Sequence, residues 1–282
     1  VTKQESFSNI FANQDKFDGP TLLLVARHEV YSKILQAKKY LKKTISKDSF
    51  SIAVLRPSYK LSSFDLIIAP EHDFRKKRVP ENVIPFQGSL SATSQNPIDE
   101  NMAIIAIGGP SKHYKFDQEI LIGQLQYILS VHPKHKFKIF NSRRTPEVLN
   151  LRLKNELNKY PNAKFIDLNS PESHTFQASL NESALKFVTP DSSNLVFEAL
   201  SVNGQTYLIQ IESQKYRRIF GAKKIRESMN ELVNSRRVGV VSILNKNGGV
   251  DISKIENPSP HFEPLAEVEK VSFSIMKFIN QK

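Results

Sequence analysis

Three segments of this sequence carry residue types suited to a phosphorylated ligand, and a fourth could move a proton. Gly108-Gly109-Pro110-Ser111-Lys112-His113 joins two glycines, which let backbone approach a ligand closely, to a hydroxyl and a cation. Asn141-Ser142-Arg143-Arg144-Thr145-Pro146 sets two guanidiniums just ahead of a proline-initiated helical stretch, whose first N–H groups attract anions. Thr189-Pro190-Asp191-Ser192-Ser193-Asn194 offers several helix-capping residues, and Glu198 follows about one and a half turns into the helix, where a carboxylate can accept from ribose hydroxyls. The plainer alternative is that Asp191 or Ser192 only caps that helix and Glu198 is solvated. Pro70-Glu71-His72-Asp73 puts two carboxylates and an imidazole at consecutive positions, which makes Glu71 and Asp73, with His72 third, candidates for a general base.

Other chemistries have no support in the residues. The chain lacks cysteine, so disulfides, thiolate nucleophiles, zinc fingers and iron–sulfur clusters are excluded. His132 and His135 form an H-x-x-H that reads as a polar surface turn, and Glu71-His72-Asp73 is a poor metal site because adjacent ligands point apart, so no metal is expected. The glycine loop has neither Walker nor dinucleotide spacing, so ATP and NAD are not indicated, and no G-x-S-x-G elbow supports acyl hydrolysis.

The candidate loops gain weight from the elements that must carry them. Short apolar runs alternate with amphipathic stretches, as in an α/β protein with parallel sheets covered on both faces. The first series has strands at 21–26, 51–55 and 66–69, an edge segment at 82–85 and a helix at 30–43 with Val30, Ile34, Ala37 and Leu41 on one side. Residues 89–100, crowded with Ser, Thr, Gln, Asn and Pro, read as a loop or linker. The second series alternates strands at 102–107, 137–141, 164–167, 186–189 and 206–211 with helices at 117–130, 146–159, 176–183 and 193–201. Two Rossmann-like domains in tandem are the economical reading. The three ligand-type loops each follow a strand of the second series, so they meet at one sheet edge. A final helix at 264–279, with Val268, Val271, Ile275 and Phe278 at helical spacing, is expected to return to the first domain.

Composition fits this reading. The chain has 282 residues, 39% of them hydrophobic, with 10 glycines and 15 prolines, which is enough for buried cores and unlike a disordered or collagen-like chain. No apolar run is long enough to span a bilayer, and the polar opening residues are no secretory signal. The missing initiator methionine points to a fragment. Forty Lys and Arg against 28 Asp and Glu give a net charge of +12, which favours anionic partners. Basic clusters stand at Lys38, Lys39, Lys42 and Lys43, at 75–78, and at Lys215, Arg217, Arg218, Lys223, Lys224 and Arg226. Any one cluster reads first as a solvated helix face or loop; as a binding surface it suits a phosphate-bearing small molecule or an anionic membrane surface, whereas nucleic acid is not expected, since no binding motif with stacking aromatics appears.

Taken in order, residues 66–73, 107–113, 141–146 and 189–199 resemble the ELM1-like family, named after a plant mitochondrial fission factor. Residues 214–220 and 263–267 look like its C-terminal pieces. The family resembles two-domain GT-B glycosyltransferases, which implies an acceptor-side domain at 1–97, a nucleotide-sugar-binding domain at 98–257 and a C-terminal helix at 258–282 returning to the first domain. The resemblance implies a nucleotide diphosphate-sugar donor, bound by Gly108, Gly109, Ser111, Lys112, Arg143, Arg144, Ser192, Ser193 and Glu198 with no metal or permanent cofactor. It also implies a cell-envelope or lipid-linked glycan acceptor, with Glu71, His72 and Asp73 as the catalytic candidates. The location expected is cytoplasmic, peripheral at the inner face of a membrane. This chain departs from the pattern in lacking the family's first strand and in carrying Ala26-Arg27-His28-Glu29 where Gly-Arg-Arg-Thr is usual. The competing expectation is a non-catalytic, membrane-associated recruitment protein on the same scaffold.

Overall fold

In a computed structural model, the described residues are 19–26, 28–45, 48–74, 78–94, 96–111, 114–212, 220–244, 252–260 and 263–281. They form an α/β protein of two compact units, one of residues 1–87 with 269–282 and one of residues 88–268. The boundary falls before residue 88, earlier than the 97/98 expected. Residues 88–96 go with the second unit because Ser94 donates its N–H to the Ser201 carbonyl and bridges Val202.

The first unit holds a four-stranded sheet in the order β1 (Thr21–Val25), β2 (Ser49–Val54), β3 (Leu66–Pro70) and β4 (Val83–Phe86), parallel throughout. Between β1 and β2 runs α1 (Tyr31–Tyr40), continued by a π turn at Leu41–Ile45. Tyr31 is fully buried, and its ring meets Phe64 edge-on with centroids 5.4 Å apart.

The second unit is a seven-stranded sheet of β5 (Asp99–Ala106), β6 (Lys136–Phe140), β7 (Ala163–Ile166), β8 (Ser183–Val188), β9 (Gln205–Ile209), β10 (Gly239–Leu244) and β11 (Ile252–Glu256). Its order is β11-β10-β9-β8-β5-β6-β7, parallel except for the antiparallel edge strand β11. The chain winds outward from β5 through β6 and β7, returns to β8 beside β5, then winds outward the other way. This is the Rossmann order, and β5/β8 is its switch point. Alternation along β5 divides the core: Ala103 and Ile105 pack with Leu125 and Leu153 on one face, and Ile104 and Ala106 with Val196 and Phe197 on the other.

The helices of this unit are α2 (Gln118–Val131), α3 (Glu147–Leu157), α4 (Phe176–Glu182), α5 (Ser193–Leu200) and α6 (Phe220–Asn234). Asp117 caps α2, accepting from the N–H groups of Glu119 and Ile120. Between residue 211 and the last helix the sequence pattern yields no element, and α6, β10 and β11 fill that stretch, β10 and β11 held by pairing with β9 and with each other. The last helix, α7 (Glu267–Asn280), has most of its length in the first unit. Val271 is buried, Phe278 meets Phe50 edge-on at 5.6 Å, and Phe273 faces solvent, so the face at Val268, Val271, Ile275 and Phe278 is the packed one. No helix among the described residues is long and apolar enough to cross a membrane.

The core includes a buried lysine. Lys186, on β8, is fully buried, and its ammonium donates to the carbonyls of Val202 and Asn203 in the turn after α5. Burial pushes its pKa down from 10.5 to about 7. Between those values the unfolded chain carries a proton that the folded chain has released, so this group adds stability as pH rises. Denaturant midpoints measured from pH 7 to pH 10 should therefore show the native protein gaining on Lys186→Met. Parallel profiles for the two proteins would contradict it.

Candidate functional site

The carboxyl ends of β5, β6 and β8 bring the three loops together at the switch point, where an open parallel sheet leaves a crevice. Their joint is Asp191, whose side chain is fully buried. Its Oδ2 accepts the Gly109 N–H at 3.0 Å and an Arg144 guanidinium N–H at 2.7 Å. Thr189, after β8, accepts the Gly108 N–H at 2.8 Å, and the Thr145 hydroxyl donates to the Gly108 carbonyl at 2.5 Å. A buried carboxylate is stable only with such charged and hydrogen-bonded company.

This geometry corrects the role expected of the glycines. Both amides are engaged inside the protein, so neither points a free N–H at a ligand. The glycines permit close approach instead: a Cβ on Gly109 would stand 2.0 Å from the Arg144 carbonyl oxygen, and one on Gly108 would stand 2.1 Å from the Asp191 carboxylate. Asp191 is likewise no helix cap, and no side chain caps α5; Ser192 holds the N-cap position in extended backbone. The first N–H groups of α5 are thus left to solvent or ligand.

A cavity of about 680 Å³ opens beside this joint. Gly108, Arg143, Arg144, Ser192 and Glu198 line it, with Phe140, Leu168 and Phe176 as an apolar wall. A second cavity of about 270 Å³ shares Arg144, Ser192 and Asn194 and adds Ser111, Asp191 and Ser193. Arg143 is exposed and makes no hydrogen bond or ion pair among the described residues, so its charge faces the cavity unneutralised. Glu198 is half-buried, and that burial pushes its carboxyl above the usual range. Tyr114 rises to about 12, first through burial and then through the nearby Asp191 charge. The wall beyond β7 is fixed by Asn141, whose amide donates to Asn150 at 2.9 Å and Asp167 at 2.8 Å while its carbonyl accepts the Leu168 N–H at 2.6 Å.

Eight of the nine residues expected at a donor site are therefore at this sheet edge, seven lining the cavities and Gly109 beneath them. Lys112 lies outside the described residues. Glu71, His72 and Asp73 form a 3-10 turn after β3 in the other unit, with His72 Nε2 4.0 Å from Asp73 Oδ1 and the Asp73 carbonyl accepting from Arg56 at 2.8 Å. Thr145, Thr189 and Asn141 stand in the loop motifs of the sequence but carry no role there, and Asp191 has at most a capping one. Their signal is a polar residue just past a strand end, which many loops share.

His132 and His135 do bracket a surface turn, closed by the His135 N–H donating to the His132 carbonyl at 3.1 Å, but their rings are partly buried: they meet edge-on at 5.3 Å and pack on Phe137, and burial lowers the pKa of His132. No group of three metal-ligating side chains occurs among the described residues. Of the last basic cluster, Lys215, Arg217 and Arg218 lie outside the described residues, as do the side chains of Lys223 and Lys224.

The model of the family described as Mitochondrial fission ELM1 matches residues 2–277. The chain belongs to this family. No curated protein matches it. Among solved structures it is similar to a candidate UDP-N-acetylglucosamine 2-epimerase of Listeria monocytogenes, at 12% identity and a TM-score of 0.47, over 79% of this chain and 62% of that one. MnaA of S. aureus, solved with UDP, is 13% identical over 84% of this chain and 73% of its own, with a TM-score of 0.40. The pneumococcal O-GlcNAc transferase GtfA, solved with UDP and GlcNAc, is 10% identical over 92% of this chain and 55% of its own, with a TM-score of 0.38. The chain thus spans 62% of the first of these proteins and about half of the third.

In this ELM1 family member the glycine pair and a helical glycine should respond to alanine in opposite directions. Gly109→Ala drives a methyl into backbone and should lower stability by about 1–3 kcal/mol. Gly123, inside α2, has nothing within 4 Å of an added Cβ, so Gly123→Ala should raise stability by up to about 1 kcal/mol. Urea midpoints check both signs.

Proposed function

We propose that the chain is a nucleotide-sugar-dependent glycosyltransferase of GT-B type, acting on a cell-envelope or lipid-linked acceptor. The observation that carries this reading is the large cavity at the β5/β8 switch point, cationic at Arg143 and the uncapped start of α5, acidic at Glu198 and apolar between. A nucleoside diphosphate has the matching order of groups. Its phosphates take the Arg143 fork and the first N–H groups of α5, its base the Phe140 and Phe176 wall, and its ribose hydroxyls donate to Glu198. Arg144 is a positioning residue, held by Asp191 and completing the loop that presents Arg143.

In the reaction, an acceptor hydroxyl oxygen bonds to the sugar's anomeric carbon as the bond to the diphosphate breaks. Negative charge builds on the leaving diphosphate, where a guanidinium and a helix N-terminus stabilise it without requiring a metal ion. The hydroxyl proton passes to Glu71, His72 or Asp73, the assignment that the family resemblance implies. The basic clusters suit a peripheral site on an anionic membrane at the cytoplasmic face.

The non-catalytic recruitment reading draws on a specific observation as well. Both glycine amides and Arg144 are already bonded within the protein, which leaves Arg143 the larger share of phosphate binding. Equilibrium binding of UDP, GDP and CMP separates the readings. One nucleotide should bind, Arg143→Ala should weaken it about tenfold or more, and Arg143→Lys should restore part of the loss. If none of the three binds, the recruitment reading takes its place.

Glu198 gives a second test through pH. Its raised carboxyl pKa means that folding favours the protonated form, so the ionised form lowers stability at neutral pH. Glu198→Gln should therefore raise the thermal midpoint at pH 7, with the gain fading below about pH 4, where both states are protonated. It should also weaken binding of the ribonucleotide but not of its 2′,3′-dideoxy analogue.

A further inference from the structure

A separate cavity of about 290 Å³ lies on the other side of Glu198, lined by residues 90–94 together with Gln177, Asn181 and Glu198 itself. Its wall at residues 88–94 is a fixed strap, not the plain linker that its composition suggests. Gly88 takes a φ of +72° and crosses the Phe197 ring of α5 so closely that a Cβ would stand 2.0 Å from it. Ser94 then bridges Val202, Ser89 and Ser91 share a hydroxyl hydrogen bond of 2.9 Å, and Thr93 donates to the Leu265 carbonyl at 3.3 Å.

The chemistry of the lining is one-sided. Ser91, Thr93 and Ser94 of the strap and the carboxamide residues Gln177 and Asn181 line the cavity, with Glu198 the only ionisable side chain among the described lining residues. Gln177 donates to the Asn181 carbonyl oxygen at 3.1 Å, so the Gln177 carbonyl and the Asn181 amide protons remain for a ligand as one acceptor and two donors. A carboxylate without a cation beside it repels phosphate, and balanced donors and acceptors suit hydroxyl groups, which are both. At about 30 Å³ per water the space holds about ten waters, the scale of one hexose ring and too small for an oligosaccharide.

We propose that this cavity binds a single neutral, hydroxyl-rich ring, a monosaccharide or the sugar end of a glycan, with Glu198 as the wall between it and the anion-binding cavity. A carboxylate has lone pairs enough to serve hydroxyls on both sides. The proposal goes beyond the nucleotide reading and does not need it.

Saturation-transfer NMR on the full chain tests it, with glucose, N-acetylglucosamine and ribose as free probes and UDP binding measured in parallel. Glucose or N-acetylglucosamine should receive saturation, and Gln177→Ala with Asn181→Ala should weaken binding about three- to tenfold while leaving UDP affinity unchanged. Arg143→Ala should do the reverse. Both carboxamides lie on the surface of the short helix α4, so their removal leaves the core intact. If UDP binds and no free sugar does, the cavity inference fails and the nucleotide reading stands. If sugar binds but uridine displaces it, the hydroxyls recognised are the nucleotide's own ribose, and the separate site is overturned. If sugar binds and UDP does not, the nucleotide reading fails and this inference survives.

Discussion

A single buried carboxylate organises the large unit. Asp191 has no exposure to water, and an isolated charge in that position would cost several kcal/mol. It is stable because the Gly109 amide and the Arg144 guanidinium both converge on one of its oxygens. Those two bonds tie the loop after β8 to the loops after β5 and β6, so three strand ends share one joint. The two glycines follow from this constraint, since any side chain there would displace the carboxylate or the Arg144 backbone that the joint requires.

The same joint sorts the charges of the crevice. By pairing with Arg144, Asp191 leaves Arg143 as the unneutralised guanidinium of the two, beside the positive end of an uncapped helix. Along the crevice the lining passes from this cationic end, over an apolar wall of Phe140 and Phe176, to the half-buried carboxylate of Glu198 and then to the hydroxyls of the strap and the carboxamides of α4. On the proposed reading each step suits a different chemical group, in the order of a ligand with phosphate at one end and hydroxyls at the other, and recognition falls to helix dipole and side chains because the glycine amides are bonded within the protein.

The strap shows how a weak sequence signal becomes a rigid wall. Residues 88–94 have neither the apolar periodicity of a strand nor that of a helix, and they hold their path through a left-handed glycine, one bridge to Val202 and a hydroxyl bonded to the Leu265 carbonyl. Their rigidity depends on α5, which also carries Glu198. Helix, strap and carboxylate therefore form one body, with a cavity on either side of Glu198.

The sequence by itself determined the alternation of strands and helices, the two series, and the strand-end position of the Gly108, Arg143 and Ser192 loops. Those signals are local: apolar period, glycine and proline punctuation, and polar residues just past a strand. It also showed that Gly108 and Gly109 mark a close backbone approach. Only the tertiary structure decided what is approached, because the Gly109–Asp191 and Arg144–Asp191 contacts join positions 82 and 47 residues apart. The same reason hid β10 and β11, which are held by pairing with β9 and with each other, and packs the rings of the turn histidines 132 and 135 against each other and Phe137. Local composition fixes which residues can bond. Which of two adjacent arginines is neutralised, and which amides remain free, is set by the partner that folding brings alongside.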